Sequence, residues 1–330
     1  MNILVSIFPV LVFLAALIFL DSYKLVKLKW VVLTILLGCL VALIAFWINS
    51  SLLERSDVDE QLFSRYAAPV IEEILKASFI LYLIQSQKVG FMVDSAIYGF
   101  AIGAGFACVE NIYYVHSLES SSIILWIIRG FGTAVMHGGT TAIFGVISKN
   151  LSDRFPSKGV LIFIPGLVVM VLIHSVFNHF FLPPIIETVV MLIVLPLIML
   201  LVFRQSEQST RTWLGVGLDA DMELLHQITH GDLLESNIGK YLHSLREKFP
   251  GEMIIDMLCL LRLHTELAIR SKGILMMREA GFSSPPDTEI VEKFKELNYL
   301  EKSIGTTGKI AITPFLHTSK RDLWQIYMLE

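Results

Sequence analysis

Residues 67–84, AAPVIEEILKASFILYLI, form a continuous apolar run broken only by Glu72, Glu73 and Lys76. As helix at about 1.5 Å per residue, such a run nearly spans the roughly 30 Å hydrocarbon core of a bilayer. A charged side chain in mid-bilayer costs roughly 2.5 to 3.5 kcal/mol on insertion scales, so charges kept there are read first as functional. The segment therefore predicts a transmembrane helix that carries chemistry.

Similar runs flank it, at 3–20, 30–48, 91–115, 131–148, 159–181 and 185–203, which makes seven predicted spans. Composition agrees: of 330 residues, 54% are hydrophobic and only 17% charged, with a mean hydropathy of +0.66. A water-soluble chain of this size is far more polar. The first run lacks the basic leader and small-residue cleavage site of a signal peptide and is expected to be a retained helix. Residues 120–130 can either extend the fifth span outward or lie in the interface with Arg129 reaching the lipid headgroups; the interfacial position is expected, because it gives the fifth span a normal length.

Charged residues become about twice as dense after Arg204. The expected organisation is a membrane domain at 1–204 and a small soluble helical domain at 205–330. In the latter, helical periodicity covers 222–248 and 252–277, and a Pro285-Pro286 break precedes a third helix at 288–300. The fold class is all-α, a polytopic membrane bundle with a soluble appendage.

Loop charge sets the expected orientation, because Lys and Arg collect on the cytoplasmic side. Lys24, Lys27 and Lys29, then Lys88, then Lys149, Arg154 and Lys158 occupy alternate loops, while the second loop is acidic with Glu54, Asp57, Asp59 and Glu60. The N-terminus then faces out, and 205–330 faces the cytoplasm and an unknown partner there. A net charge of −4 gives no footprint for nucleic acid. Cys39, Cys108 and Cys259 are scattered without C-x-x-C spacing, so neither disulfides nor a thiolate metal site is expected.

The intramembrane polar residues are Glu72, Glu73, Lys76, Glu110, Asn111, His137, His174 and Asn178. Residues four apart share a helix face, which pairs Glu72 with Lys76, His137 with Thr141, and His174 with Asn178. Gly138 and Gly139 permit a close helix approach. With alternating spans, Glu72, Glu110, His137 and His174 each lie about 7 to 11 Å below the outer edge, at 1.5 Å per residue. Four helices can thus offer them to one cavity. Polar residues also serve as glue between helices, but three glutamates exceed what one lysine neutralises.

The order E-E-x-x-K at Glu72 to Lys76, F-x-x-x-E-N at Phe106 to Asn111, the histidine-glycine segment at His137, and H-x-x-x-N at His174 to Asn178 resembles the PrsW family of glutamic intramembrane proteases. That family looks related to the CAAX prenyl endoproteases and to bacteriocin-immunity membrane proteins. The resemblance is strongest over 67–181; the C-terminal domain matches no named family.

The resemblance implies peptide hydrolysis by a glutamate-activated water, with a single-span membrane protein such as an anti-sigma factor as substrate, cut near the outer face. Glu72 is the expected base and Glu110 the water-positioning group. Glu73, about 100° around the helix, is expected to bond Lys76 or a neighbouring helix. His174 and Asn178 are suited to stabilise an oxyanion, and His137 to join them or orient Glu72. Lys76, Asn111 and Arg129 are supporting residues. No cofactor is expected, although Glu72, Glu110, His137 and His174 are all zinc-ligand types and a metal-dependent protease stays open; H-E-x-x-H is absent. A non-catalytic receptor, immunity factor or scaffold of the same fold is the other alternative.

Elsewhere, Glu223, His226 and His230 are read as a solvated helix face rather than a metal site. Gly305 to Lys309 is too short for a phosphate-binding loop. His116, His179 and His317 are read as interfacial or surface residues.

Overall fold

The computed structural model describes residues 2–21, 23, 26–86, 88–117, 122–230, 236–282 and 289–316. Lys24, Ser120, Pro285, Pro286, Thr288 and His317, and residues 231–235 of the expected 222–248 helix, lie outside the described residues, as does the side chain of Lys158. The chain divides into two compact units, Met1–Ser206 and Glu207–Glu330. Among the described residues every regular element is helical.

The first unit contains α1 (Asn2–Phe19), α2 (Leu28–Arg55), the single turn α3 (Glu60–Leu62), α4 (Ala68–Gln85), α5 (Met92–Ser117), α6 (Ile123–Ile128), α7 (Ala134–Arg154), α8 (Ile164–Asn178) and the start of α9 (Pro184–His230). Among the described residues, five helical stretches are long and apolar enough to cross a membrane: α1, α2, α5, Gly159–Asn178 and α9. The other two expected spans, α4 and α7, form as helices but are too polar to qualify by composition. They hold Glu72, Glu73, Lys76 and His137. On α2, Leu36, Leu40, Leu43 and Trp47 are exposed at helical spacing, a surface suited to lipid rather than water.

The expectation for residues 120–130 needs correction. Residues 123–154 run as one helical rod, with a π turn at Arg129–Thr133 joining α6 to α7. Trp126 on this rod is fully buried and Arg129 turns into the bundle, so the segment extends the fifth helix instead of lying flat. A second π turn, Phe63–Ala67, joins α3 to α4. Each π turn adds a residue and so re-aims the side chains around it.

α5 sits at the centre, packed against α1, α2, α4 and α7. Glycine makes this approach close enough. A Cβ at Gly99 would lie 2.5 Å from the Thr141 carbonyl oxygen, and one at Gly103 2.1 Å from that of His137. On the opposite face, Gly105 and Gly38 bring α5 equally close to α2. Small residues four apart are how helices pack where no water drives them together.

The second unit takes its helices from the remainder of α9, α10 (Asn237–Ser244), α11 (Gly251–Glu279) and α12 (Ile290–Ile312). Leu260, Leu267 and Leu275 of α11 and Phe294, Leu297 and Ile304 of α12 are buried at helical spacing and form its core. Gly305 to Lys309 lies within α12, where Gly305 adopts a positive φ of 63° and kinks the helix. Lys272 and Asp221 form a buried ion pair, 2.7 Å apart.

Candidate active site

Four helices of the first unit bring their polar residues together. On α4, Glu73 and Lys76 are both fully buried and bonded at 2.7 Å. Lys76 therefore pairs with the glutamate three residues before it, and not with Glu72 as the four-residue spacing suggested. Both separations keep side chains on one helix face; the neighbouring helices decide between them.

The Lys76 ammonium also donates to His137 Nδ1 of α7 at 3.0 Å and lies 4.6 Å from the centre of the Phe106 ring of α5. Its donors and charge are thus met on three sides. Because Nδ1 accepts, His137 carries its proton on Nε2, which donates to Glu110 Oε2 on α5 at 2.7 Å. Glu110 Oε1 accepts from Arg129 Nη2 at 3.1 Å. Arg129 Nε reaches Asn111 at 3.0 Å, its guanidinium covers the Tyr114 ring at 3.8 Å, and Asn111 donates to the Ser6 carbonyl of α1 at 2.8 Å. Arg129 is thus part of the cluster and does not reach toward headgroups.

On α8, His174 Nδ1 donates to Glu73 Oε1 at 2.6 Å. Its other nitrogen, Nε2, faces Glu72 Oε2 at 4.0 Å. Two side chains from the same helix dock it onto the first π turn: Ser175 Oγ donates to the Arg65 carbonyl at 2.6 Å and Asn178 Nδ2 to the Ser64 carbonyl at 2.9 Å. Asn178 is therefore tied to backbone, and its amide is not among the hydrogen bonds that link the acids and imidazoles. Thr141, expected beside His137, bonds that residue's carbonyl oxygen and leaves the imidazole alone.

Charge bookkeeping singles out one acid. Lys76 neutralises Glu73 and Arg129 neutralises Glu110, each through direct bonds. For Glu72, the ionisable partner within 4.0 Å among the described residues is His174. Its other oxygen, Oε1, accepts from Asn49 Nδ2 of α2 at 3.0 Å. Among the described residues, Glu72 is thus the acid of this cluster without a lysine or arginine bonded to it. Asn49 escaped the sequence reading because, near the end of a long apolar run, it looks like an ordinary boundary residue.

A family profile described as PrsW family intramembrane metalloprotease matches residues 27–202, more than half of the chain. The chain belongs to the PrsW family. No curated protein and no solved structure gives a significant match. As a PrsW family member with several apolar helices, it is a multi-pass membrane protein of an intramembrane protease family.

The family description raises the question of a metal. Glu72, His137 and His174 each offer one ligand atom, all within 4.8 Å of one another. The described residues of the Glu223, His226 and His230 face form no such group; there the two imidazoles stack at 4.1 Å. Glu72 and His174 fit well: Asn49 holds Oε1 of Glu72, while Oε2 faces His174. His174 has a carboxylate on Nδ1 and Nε2 turned toward Glu72, the arrangement that orients a ligating histidine. Glu73 Oε2 is buried with no hydrogen-bond partner, so a polar species beside it would meet an unmet need. His137 has both nitrogens engaged, by Lys76 and Glu110, and joins the set only by giving up one bond.

Proposed function

We propose that this PrsW family protein is an endopeptidase that hydrolyses a peptide bond of a single-span, anti-sigma-factor-like membrane protein near the outer face of the membrane, with Glu72 as the general base. The observation that carries this reading is the 4.0 Å between Glu72 Oε2 and His174 Nε2, a spacing that one water molecule bridges with ordinary hydrogen bonds of about 2.8 Å. Glu72 takes a proton from that water as its oxygen attacks the scissile carbonyl carbon, then returns the proton to the leaving amide nitrogen. His174, whose Nδ1–H is held by Glu73, keeps its unprotonated Nε2 in place as a second acceptor for that water. Glu110, His137 and Lys76 form the supporting chain behind it.

The metal-dependent reading is favoured by the grouping of Glu72, His137 and His174. Those three residues would hold the ion, which when bound polarises the scissile carbonyl and yields hydroxide near neutral pH. The alternation of lysine- and arginine-bearing loops supports an outward N-terminus and a cytoplasmic second unit, which we take to be a regulatory or interaction module.

The test is co-expression of a tagged single-span protein with the native chain and with Glu72→Gln. Cleavage by the native chain and none by the variant is expected. Equal processing by both would remove Glu72 as the base, and processing no greater than in cells without the chain would leave a receptor, immunity or scaffold role.

A further inference from the structure

We infer that Asn49 is a positioning residue that fixes Glu72 for reaction, a role that rests on the hydrolase reading given above. Asn49 lies on α2, just past its apolar stretch and ahead of Ser50 and Ser51, at a contact with α4. Its Nδ2 donates to Glu72 Oε1 at 3.0 Å. A carboxylate on a flexible two-carbon arm has many rotamers, and a bond to one oxygen selects the one in which the other, Oε2, faces His174 Nε2.

Two further observations point the same way. Asn49 Oδ1 is buried and has no hydrogen-bond partner. A side chain kept only to stabilise packing would not leave a carbonyl unsatisfied, since an apolar residue of like size does that better. In addition, an amide offers the acid a hydrogen bond without a charge. A lysine or arginine at this place would neutralise Glu72 as Lys76 and Arg129 neutralise the other two acids, and would remove its basicity.

The experiment uses the full chain in detergent with a cleavable single-span substrate and compares Asn49→Leu, Asn49→Asp and Asn49→Gln. Leucine keeps the branched shape at slightly larger size and loses the donor; aspartate keeps the shape and replaces the donor with a like charge. Both are expected to lower kcat about 10- to 100-fold with KM within about twofold, as loss of an orienting partner does. Glutamine, which restores an amide on a longer arm, is expected to recover part of kcat. Unchanged kcat in Asn49→Leu, or a change confined to KM, would overturn the role.

A melting cycle keeps the proposal separate from the protease assignment. Asn49→Leu and Glu72→Gln share one contact, so their shifts in Tm are expected to be non-additive, whether or not the protein cleaves anything. Strict additivity would also overturn the proposal. If the melts are coupled but Glu72→Gln cleaves as well as the native chain, the assignment of Glu72 as base fails while the Asn49–Glu72 link stands.

Discussion

Lys76 Nζ stands 3.0 Å from His137 Nδ1, and this contact fixes which nitrogen of the imidazole holds the proton. It also joins α4 to α7 through a fully buried ammonium, whose charge is met by Glu73. Removing one member of such a pair strands the other. Lys76→Met is expected to destabilise the protein by about 3 to 5 kcal/mol, and Glu73→Gln added to it to restore much of that, because an uncharged pair leaves no stranded charge. Thermal melts of the single and double variants in detergent check this; a double variant less stable than either single one contradicts it.

Arg129 and Glu110 are partly exposed, with side-chain exposures of 14% and 26%. Their ion pair is screened accordingly, and Arg129→Ala is expected to cost only about 1 to 3 kcal/mol of stability, from the lost charged hydrogen bonds to Glu110 and Asn111. Cleavage should fall more than stability does, since Glu110 then holds His137 less firmly. Activity per folded molecule, compared with the native protein, measures it.

Gly103 meets the backbone of His137 and Gly138 directly, and backbone cannot swing aside as a side chain can. Gly103→Ala is expected to force α5 and α7 apart, to cost at least about 1 to 3 kcal/mol, and to abolish cleavage by displacing His137 from Glu110. Gly215, where a Cβ would meet nothing within 4 Å, is the control: alanine there should be silent for packing. Melting temperature and cleavage of the two variants decide the matter.

With Glu72 as base, the purified protein is expected to carry no stoichiometric zinc and to keep its activity after chelator treatment. Metal analysis alongside the cleavage assay checks both. About one zinc per chain, lost in Glu72→Gln and in His174→Ala, would transfer the chemistry to the metal-dependent reading.

Much of the arrangement was legible in the sequence because lipid makes charge conspicuous. Glu72, Glu73, Lys76, Glu110, His137 and His174 stand out in apolar runs, and alternating helix direction brings them to similar depth. What could not be read were choices made between helices. Lys76 selects Glu73 over Glu72 because His137 and His174 approach from one side, and spacing along α4 allows either. Arg129 looked like a headgroup anchor because the π turn that redirects it leaves no periodic signature. Asn178, paired with His174 by spacing, instead serves the π turn at Phe63–Ala67.

Each of those two wide turns holds one residue beyond the ordinary helical repeat, immediately ahead of a helix that carries charge into the bundle. The stretch before the turn and the stretch after it belong to one rod yet are clocked separately. Loss or gain of a single residue at either turn would rotate the upstream rim by about 100° while the inner acids and imidazoles kept their register. At the second turn such a change would swing Arg129 off Glu110 and turn the buried Trp126 outward, so the contacts that hold the site also hold the length of the turn.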